Sequence, residues 1–158
     1  MSDSPPDGEA VVRRAAPADA EAIGRLLHEF NTEYDDVTPG PVNLAERVRE
    51  LLSGGRDAVL LASPRPDGLA LLRFRPSIWT ANRECYLAEL YAVPARRGQG
   101  LGRALMNAAI ELARERGADD MHLGTSEDDP AAWRLYESLG FVNSESGPRG
   151  SLYYERDL

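Results

Sequence analysis

The chain has 158 residues, about one domain's length, and a chain of that size buries roughly 68–70% of its unfolded surface, so a core needs no metal or disulfide. Hydrophobic residues make up 42% and charged residues 28%, which excludes general disorder. The net charge of −8 disfavours non-specific binding to nucleic acid or an anionic membrane and allows a cationic partner.

Residues 1–10, rich in Pro, Asp, Ser and Gly, are expected to form a disordered tail before one domain over 11–158. The N-terminus lacks a signal peptide's basic and apolar regions, and no apolar run approaches the ~18 residues of a membrane span. Val11 to Arg13 reads as a short strand. Pro17 suits the first turn of a helix, and Ile23, Leu26, Leu27, Phe30 and Tyr34 form its apolar stripe. Asp35 to Pro41 is expected as a loop. Asn43 with Glu46 resembles a capping box for a second helix that Gly54 and Gly55 stop. Ala58–Ala62 and Leu69–Phe74 flank a Pro64-Arg65-Pro66-Asp67-Gly68 loop and read as a hairpin. Glu84 to Val93 is a further long strand, Leu101 to Arg116 a helix closed by Gly117, and Met121 to Thr125 a short strand. Pro130 to Leu139 is a helix, and Phe141–Ser144 and Leu152–Arg156 are the last expected strands.

Hairpins in the middle argue for antiparallel pairing, and the strand–helix–strand unit from Glu84 to Thr125 for one parallel crossover. The expected fold is α/β: a mixed, mostly antiparallel sheet of six to seven strands with helices on both faces.

What is missing narrows the chemistry. All eighteen basic residues are Arg. Without Lys there is no Walker A loop and no Schiff-base or pyridoxal chemistry. His28 and His122 have no Cys partner at ligand spacing, which speaks against zinc, and no Gly-x-Ser-x-Gly elbow occurs. The one cysteine, Cys85, excludes an internal disulfide and suits the cytoplasm.

Arg96-Arg97-Gly98-Gln99-Gly100-Leu101-Gly102-Arg103 lies between an expected strand and an expected helix. Small residues let a ligand approach the backbone, and the first amides of a helix lack intrahelical partners, so a phosphate or pyrophosphate is favoured there. Leu90 to Ile110 contains three Arg and no acid, a local positive island. A plain glycine-rich turn is the competing explanation. The spacing does not fit a dinucleotide fingerprint.

These residues resemble the GNAT N-acetyltransferase superfamily. Its Arg/Gln-x-x-Gly-x-Gly/Ala signature matches Arg97 to Gly102, after a strand ending Tyr91-Ala92-Val93-Pro94. Leu135-Tyr136-Glu137-Ser138-Leu139-Gly140-Phe141 is similar to a second family element. The resemblance implies a GNAT-type domain, acetyl-CoA as co-substrate and direct transfer to an amine. It implies that the turn (Arg97, Gly98, Gln99, Gly100, Leu101, Gly102, Arg103) cradles the pyrophosphate and that Tyr91 and Val93 lie beside the pantetheine arm. Asp129, Ala132 and Tyr136 are also expected at the cofactor. Asp129 stands where the family often has Asn.

Two proton transfers accompany such a reaction. An amine with a pKa near ~10.4 is nucleophilic in only about one molecule in 10³ at pH 7, and the thiolate leaving group can use a proton donor. Glu89 is the candidate base. It is the only carboxylate from Cys85 to Val93, an otherwise mostly apolar stretch, expected by alternation on one face with Leu87, Tyr91 and Val93. Its alternative role is a salt bridge to Arg73 or Arg75. The resemblance makes Tyr136 the candidate acid; otherwise it is a core aromatic. Glu127-Asp128-Asp129 is expected to cap the following helix rather than bind metal, and no metal site is expected. Glu29, Glu33 and Asp36 would share one side of the first helix if it extended that far, and could select a cationic amine.

The sequence therefore points to an acetyl-CoA-dependent N-acetyltransferase acting on a small-molecule or peptide amine. The alternative is a non-catalytic acyl-CoA-binding module on the same fold. No nucleic-acid or membrane partner is expected, and a homodimer is allowed.

Overall fold

The computed structural model describes residues 11–63, 65–143 and 154–158; the expected tail at 1–10 lies outside them. Contacts divide the chain into two compact units, Met1–Gly124 and Thr125–Leu158.

The first unit contains β1 (Val11–Arg14), a single 3-10 turn (Pro17–Asp19), α1 (Ala20–Glu33), α2 (Pro41–Ser53), β2 (Asp57–Ser63), β3 (Gly68–Pro76), β4 (Arg83–Ala92), a second 3-10 turn (Pro94–Arg96), α3 (Leu101–Glu115) and β5 (Ala118–His122). The strands lie in chain order in one sheet. The first three pairings are antiparallel, and β4–β5 is parallel, with α3 as the crossover. The expected mixed sheet is present, with five strands among the described residues rather than six to seven.

Local chemistry explains where the helices begin. Asp19 Oδ2 accepts the Ala16 amide at 2.8 Å while the Arg13 guanidinium grips both its oxygens at 2.7 and 2.9 Å. That carboxylate therefore fixes the turn leading into α1. Asn43 is not the start of α2. Gly40, at φ 90°, precedes the helix and Pro41 opens it, because proline's fixed φ already suits the first helical position. The Asn43 side chain donates to Pro39 O instead, at 2.9 Å.

Ala20, Ile23, Leu26 and Leu27 of α1 and Val48 of α2 form one core with Val59, Leu61, Leu69, Leu71 and Tyr91 of the sheet. The two helices cross closely at Gly24, where a Cβ would lie 2.5 Å from Pro41 O and 2.7 Å from Ala45 N. On the opposite face α3 packs its Leu101 and Leu105 against Gly68. Helices therefore cover both faces of the sheet in this unit.

A bulge in β4 overturns one expectation. Leu72 faces Leu87 and Leu71 faces Glu89, so Ala88 is an extra residue in the ladder. Directly opposed residues share a sheet face, and Leu71 and Leu72 lie on opposite faces. Leu87 therefore joins the α3 face, whereas Glu89 joins Leu71, Leu69 and Tyr91 on the α1–α2 face. Simple alternation had grouped Glu89 with Leu87; the extra residue reverses that phase. β5 also begins earlier than Met121. Gly117, at φ 77°, ends α3, and its carbonyl accepts the Arg83 amide at 3.1 Å, so pairing with β4 starts at once.

In the second unit Asp129 caps α4 (Pro130–Ser138), its Oδ1 accepting the Ala132 amide at 3.2 Å. The helix ends at Gly140, φ 91°, with the Gly140 amide on Glu137 O and the Phe141 amide on Tyr136 O, both 3.1 Å. This cap uses the Phe141 amide, and Phe141 to Asn143 form no strand. Tyr154 to Arg156 have no regular structure either. Ser144, Leu152 and Tyr153, the rest of those two expected strands, lie outside the described residues. No described helix is long and apolar enough to cross a membrane.

Candidate active site

Pairing between β4 and β5 stops at Tyr86 and His122. From Leu87 to Ala92, β4 has β3 on one edge and, among the described residues, no strand on the other. A strand edge of this kind offers backbone donors and acceptors to an extended ligand. It leads through Val93 and the second 3-10 turn into the glycine segment. Gly98 (φ 74°) and Gly100 (φ 81°) turn the chain into α3, and the Ala104 amide makes the first helical bond, to Gly100 O at 3.0 Å. The amides of Gly98, Gln99, Gly100, Leu101 and Gly102 have no partner among the described residues, which fits a pyrophosphate at the positive end of α3. A Cβ at Gly98 or Gly100 would meet no protein atom within 4 Å, so the backbone conformation, not packing, requires glycine there. The Gln99 side chain folds back to Ala95 O at 3.2 Å. Leu101 is buried, while Gly102 and Arg103 form the first turn of α3.

Folding pairs two arginines of the positive island with acids. Arg96 Nη1 meets Asp67 Oδ2 at 2.8 Å, and Arg97 is held by both oxygens of Glu33 at 2.6 and 2.7 Å. Acids distant in sequence thus neutralise two of its three arginines. Arg97 Nε also donates to Ala92 O at 3.2 Å, and its guanidinium lies 5.8 Å over the Tyr91 ring. The Tyr91 hydroxyl donates to Glu33 at 3.3 Å, and the ring stacks on Phe30 at 4.8 Å. The Arg97 contact holds the Glu33 carboxyl below its ordinary pKa, whereas burial first and Glu33 second push the Tyr91 phenol up. The Tyr91 side chain is enclosed in the core. Since Val93 N bonds Asp67 O on the β3 side, Tyr91, two residues earlier and opposite Leu69, turns its backbone groups to β3 as well; the outward groups at this end of the open edge are those of Leu90 and Ala92. Val93 packs partly against the same core, and its amide donates to Asp67 O at 2.9 Å.

Glu89 makes no hydrogen bond or ion pair among the described residues. Arg75 pairs with Glu84 instead. Burial raises the Glu89 pKa; Arg73 opposes that shift and Asp36 reinforces it. The salt-bridge alternative is thus absent among described residues, and Arg73 acts on Glu89 only through its field. Asp36 is not on α1. The helix ends at Glu33, and Asp35 adopts φ 58°, carrying the chain into the α1–α2 loop. Glu29 pairs loosely with Arg25, one turn earlier, at 3.7 Å. The three acids expected on one helix side therefore separate: Glu29 on the helix, Glu33 locked to Arg97, and Asp36 in the loop bearing on Glu89.

Tyr136 is buried in the second unit, edge-on to Phe141 at 6.0 Å. Burial, with a smaller contribution from Asp129, raises its pKa to about 12. Asp129 is the helix cap already described, in keeping with a capping role for the acidic loop. Cys85 is buried, its thiol raised to about 11 by burial. His28 bonds Thr38 at 2.6 Å, and His122 stacks on Tyr86. Asp67 and the Glu33–Arg97 pairing escape a sequence reading because partners 29 and 64 residues apart leave no local signal.

The sequence profile of the acetyltransferase (GNAT) family matches residues 23–141. The chain belongs to this family, and the protein is an acetyltransferase. It is similar to the thialysine N-epsilon-acetyltransferase of Caenorhabditis elegans, with 26% identity over 80% of this chain and 79% of that protein. It is 35% identical to the streptothricin acetyltransferase of Streptomyces lavendulae over 85% of this chain and 65% of that one. The crystal structure of an Arthrobacter sp. FB24 protein superposes with a TM-score of 0.87 at 44% identity, covering 99% of this chain and 100% of the other.

Proposed function

We propose that the enzyme transfers the acetyl group of acetyl-CoA directly to a primary amine of a small molecule or peptide. The observation that carries this reading is the order of two sets of backbone groups, an unpaired strand edge followed, after a short paired segment, by a run of free amides. The open β4 edge, Leu87–Ala92, leads into the free amides of Gly98–Gly102 at the start of α3. An extended amide-bearing arm ending in a pyrophosphate is complementary to that order of groups.

When bound, acetyl-CoA supplies an acyl group already activated as a thioester, so positioning of the amine can provide much of the rate. In this reading the outward backbone groups beside Tyr91 and Val93, those of Leu90 and Ala92 on the open β4 edge, align the arm, and the amides from Gly98 to Arg103 hold the pyrophosphate. Arg97 contributes by fixing the turn. Glu89 accepts the amine proton, directly or through water. Its raised pKa and lack of an ion-pair partner support a base, because a carboxylate tied to Arg would be a poorer proton acceptor.

By resemblance to the family motif, this reading gives Tyr136 the role of donor to the leaving sulfur and Asp129 and Ala132 that of cofactor contacts. Burial pushes the Tyr136 phenol up to about 12, which favours its use as a donor to the leaving sulfur while it is protonated. A cationic acceptor is supported by Asp36 and Glu29 and by the amine substrates named for the nematode and Streptomyces relatives. The reading assigns the enzyme to the cytoplasm, in keeping with its single cysteine.

The test is a panel of amines incubated with acetyl-CoA and read by product mass, beside calorimetric titration with acetyl-CoA. Formation of an N-acetyl product supports the reading. A folded protein that neither binds acetyl-CoA nor acetylates any amine refutes it.

A further inference from the structure

The geometry points to Glu33 as a positioning residue for the cofactor turn, acting through Arg97 rather than selecting the acceptor. The inference rests on the proposed use of acetyl-CoA and identifies what holds its pyrophosphate turn in place. Every Arg97 nitrogen that donates is directed inward. Nη1 and Nη2 reach Glu33 at 2.6 and 2.7 Å, and Nε reaches Ala92 O at 3.2 Å. Glu33 is the last residue of α1, whose Ile23, Leu26 and Leu27 are anchored in the core. The Tyr91 hydroxyl on Glu33 steadies the carboxylate from a third direction.

The bidentate pair therefore ties a rigid helix end to the residue immediately before Gly98. A planar fork of this kind fixes orientation as well as distance. On the same flank, Arg96–Asp67 and Val93 N–Asp67 O fasten the residues leading up to Arg97 to the β2–β3 connection. Between these ties and the start of α3 the two positive-φ glycines present free amides. Such amides bind an anion well only if they are already oriented, since ordering them on binding would cost affinity. A carboxylate whose oxygens are engaged by Arg97 and Tyr91 is also a poor receptor for a second cation.

The experiment titrates acetyl-CoA calorimetrically into the wild-type chain, Glu33→Gln, Arg97→Gln and the double variant, with melting curves and KM for both substrates. Positioning through Arg97 predicts five- to tenfold weaker acetyl-CoA binding in Glu33→Gln, a matching rise in KM for acetyl-CoA, and an unchanged KM for the amine. The double variant should bind no more weakly than Arg97→Gln alone, because both changes break the same tie. Unchanged acetyl-CoA affinity with a raised amine KM would overturn the inference and return Glu33 to acceptor recognition. Tighter acetyl-CoA binding by Glu33→Gln would also overturn it, by showing that Glu33 holds Arg97 off the phosphates. If Glu33→Gln fails to fold, Glu33→Asp decides the matter: it keeps the charge, withdraws it by one methylene, and should show a smaller loss of the same kind. A wild-type chain that binds no acetyl-CoA would refute the proposed function itself. A wild-type chain that binds, with folded Glu33→Gln binding equally well, would refute this inference alone.

Discussion

Replacing Glu89 by Gln separates the two roles a carboxylate in β4 can play. The change keeps the shape and removes the proton acceptor. At pH 7 an amine of pKa ~10.4 is more than 99.9% protonated, so a positioned base acts on a supply limited by about three powers of ten. A base of this kind contributes roughly 10²–10⁴-fold, and the loss in kcat/KM for Glu89→Gln is expected to be at least about 10²-fold at neutral pH. The deficit should shrink towards unity as the pH approaches ~10, where the amine no longer needs a base. Stability should move the other way. Burial raises the Glu89 pKa, so its contribution to stability is fully present below the unfolded pKa of ~4.3 and is lost as the pH rises through the folded value. At neutral pH the ionised side chain is a cost, and with no ion pair to break, Gln should leave the melting temperature equal or higher. A pH–rate profile and melting curves at acid and neutral pH read both effects. Normal kcat/KM at pH 7 would end the base assignment. A marked loss of stability at pH 7 would show instead that Glu89 and Arg73 form a working ion pair.

Gly100→Val forces a β-branched residue into φ 81° and should weaken acetyl-CoA binding at least tenfold, about 1.4 kcal/mol; unchanged affinity in a folded variant would remove the pyrophosphate from this turn. Tyr136→Phe should lower kcat roughly ten- to hundredfold, the worth of about 1.5–3 kcal/mol for a hydrogen bond to a charged group, with acetyl-CoA affinity retained; unaffected turnover would leave Tyr136 a core aromatic. Gly24→Ala puts a Cβ 2.5 Å from Pro41 O, so α1 and α2 must part, at about 1–3 kcal/mol and roughly 2–12 °C of melting temperature; an unchanged melting curve would mean that the helices are not in contact there. Since Arg96 and Arg97 are already paired, acetyl-CoA affinity should change less than about tenfold between 0.1 and 1 M salt, where the Debye length falls from about 10 to 3 Å. A steeper fall would mean that these arginines leave their acids to meet the phosphates.

Local patterns carried most of the fold. The stripe from Ile23 to Leu27, the glycine stops at Gly54 and Gly117, and the strand–helix–strand unit around α3 are all encoded within a few residues of where they act. The failures have physical reasons. Pro41 outcompeted the Asn43 capping signal because it fixes a backbone angle outright. The bulge at Ala88 reversed the phase of β4, and no alternation pattern marks one inserted residue. Phe141 looked apolar enough for a strand, but its amide was required to close α4 on Gly140. In the site, the glycine spacing was legible because positive φ leaves a mark in composition. The charge on that turn was not, because its neutralising partners come from α1 and the β2–β3 connection.

That neutralisation bears on how an acidic protein can hold an anionic co-substrate. With a net charge of −8, acetyl-CoA, the proposed co-substrate, gains no long-range attraction, and Arg96 and Arg97, just before the turn, are spent on Asp67 and Glu33. What remains is short-range: oriented amides, the end of the α3 dipole and a strand edge. Such groups discriminate by geometry rather than by charge, since a free phosphate satisfies the turn alone while a pantetheine diphosphate satisfies turn and strand together. The same negative surface that gives no help to the co-substrate attracts a cationic amine. Under the proposed function, placing Arg96 and Arg97 in ion pairs separates the demands of the two substrates: the net negative charge favours a cationic amine while the backbone recognises acetyl-CoA.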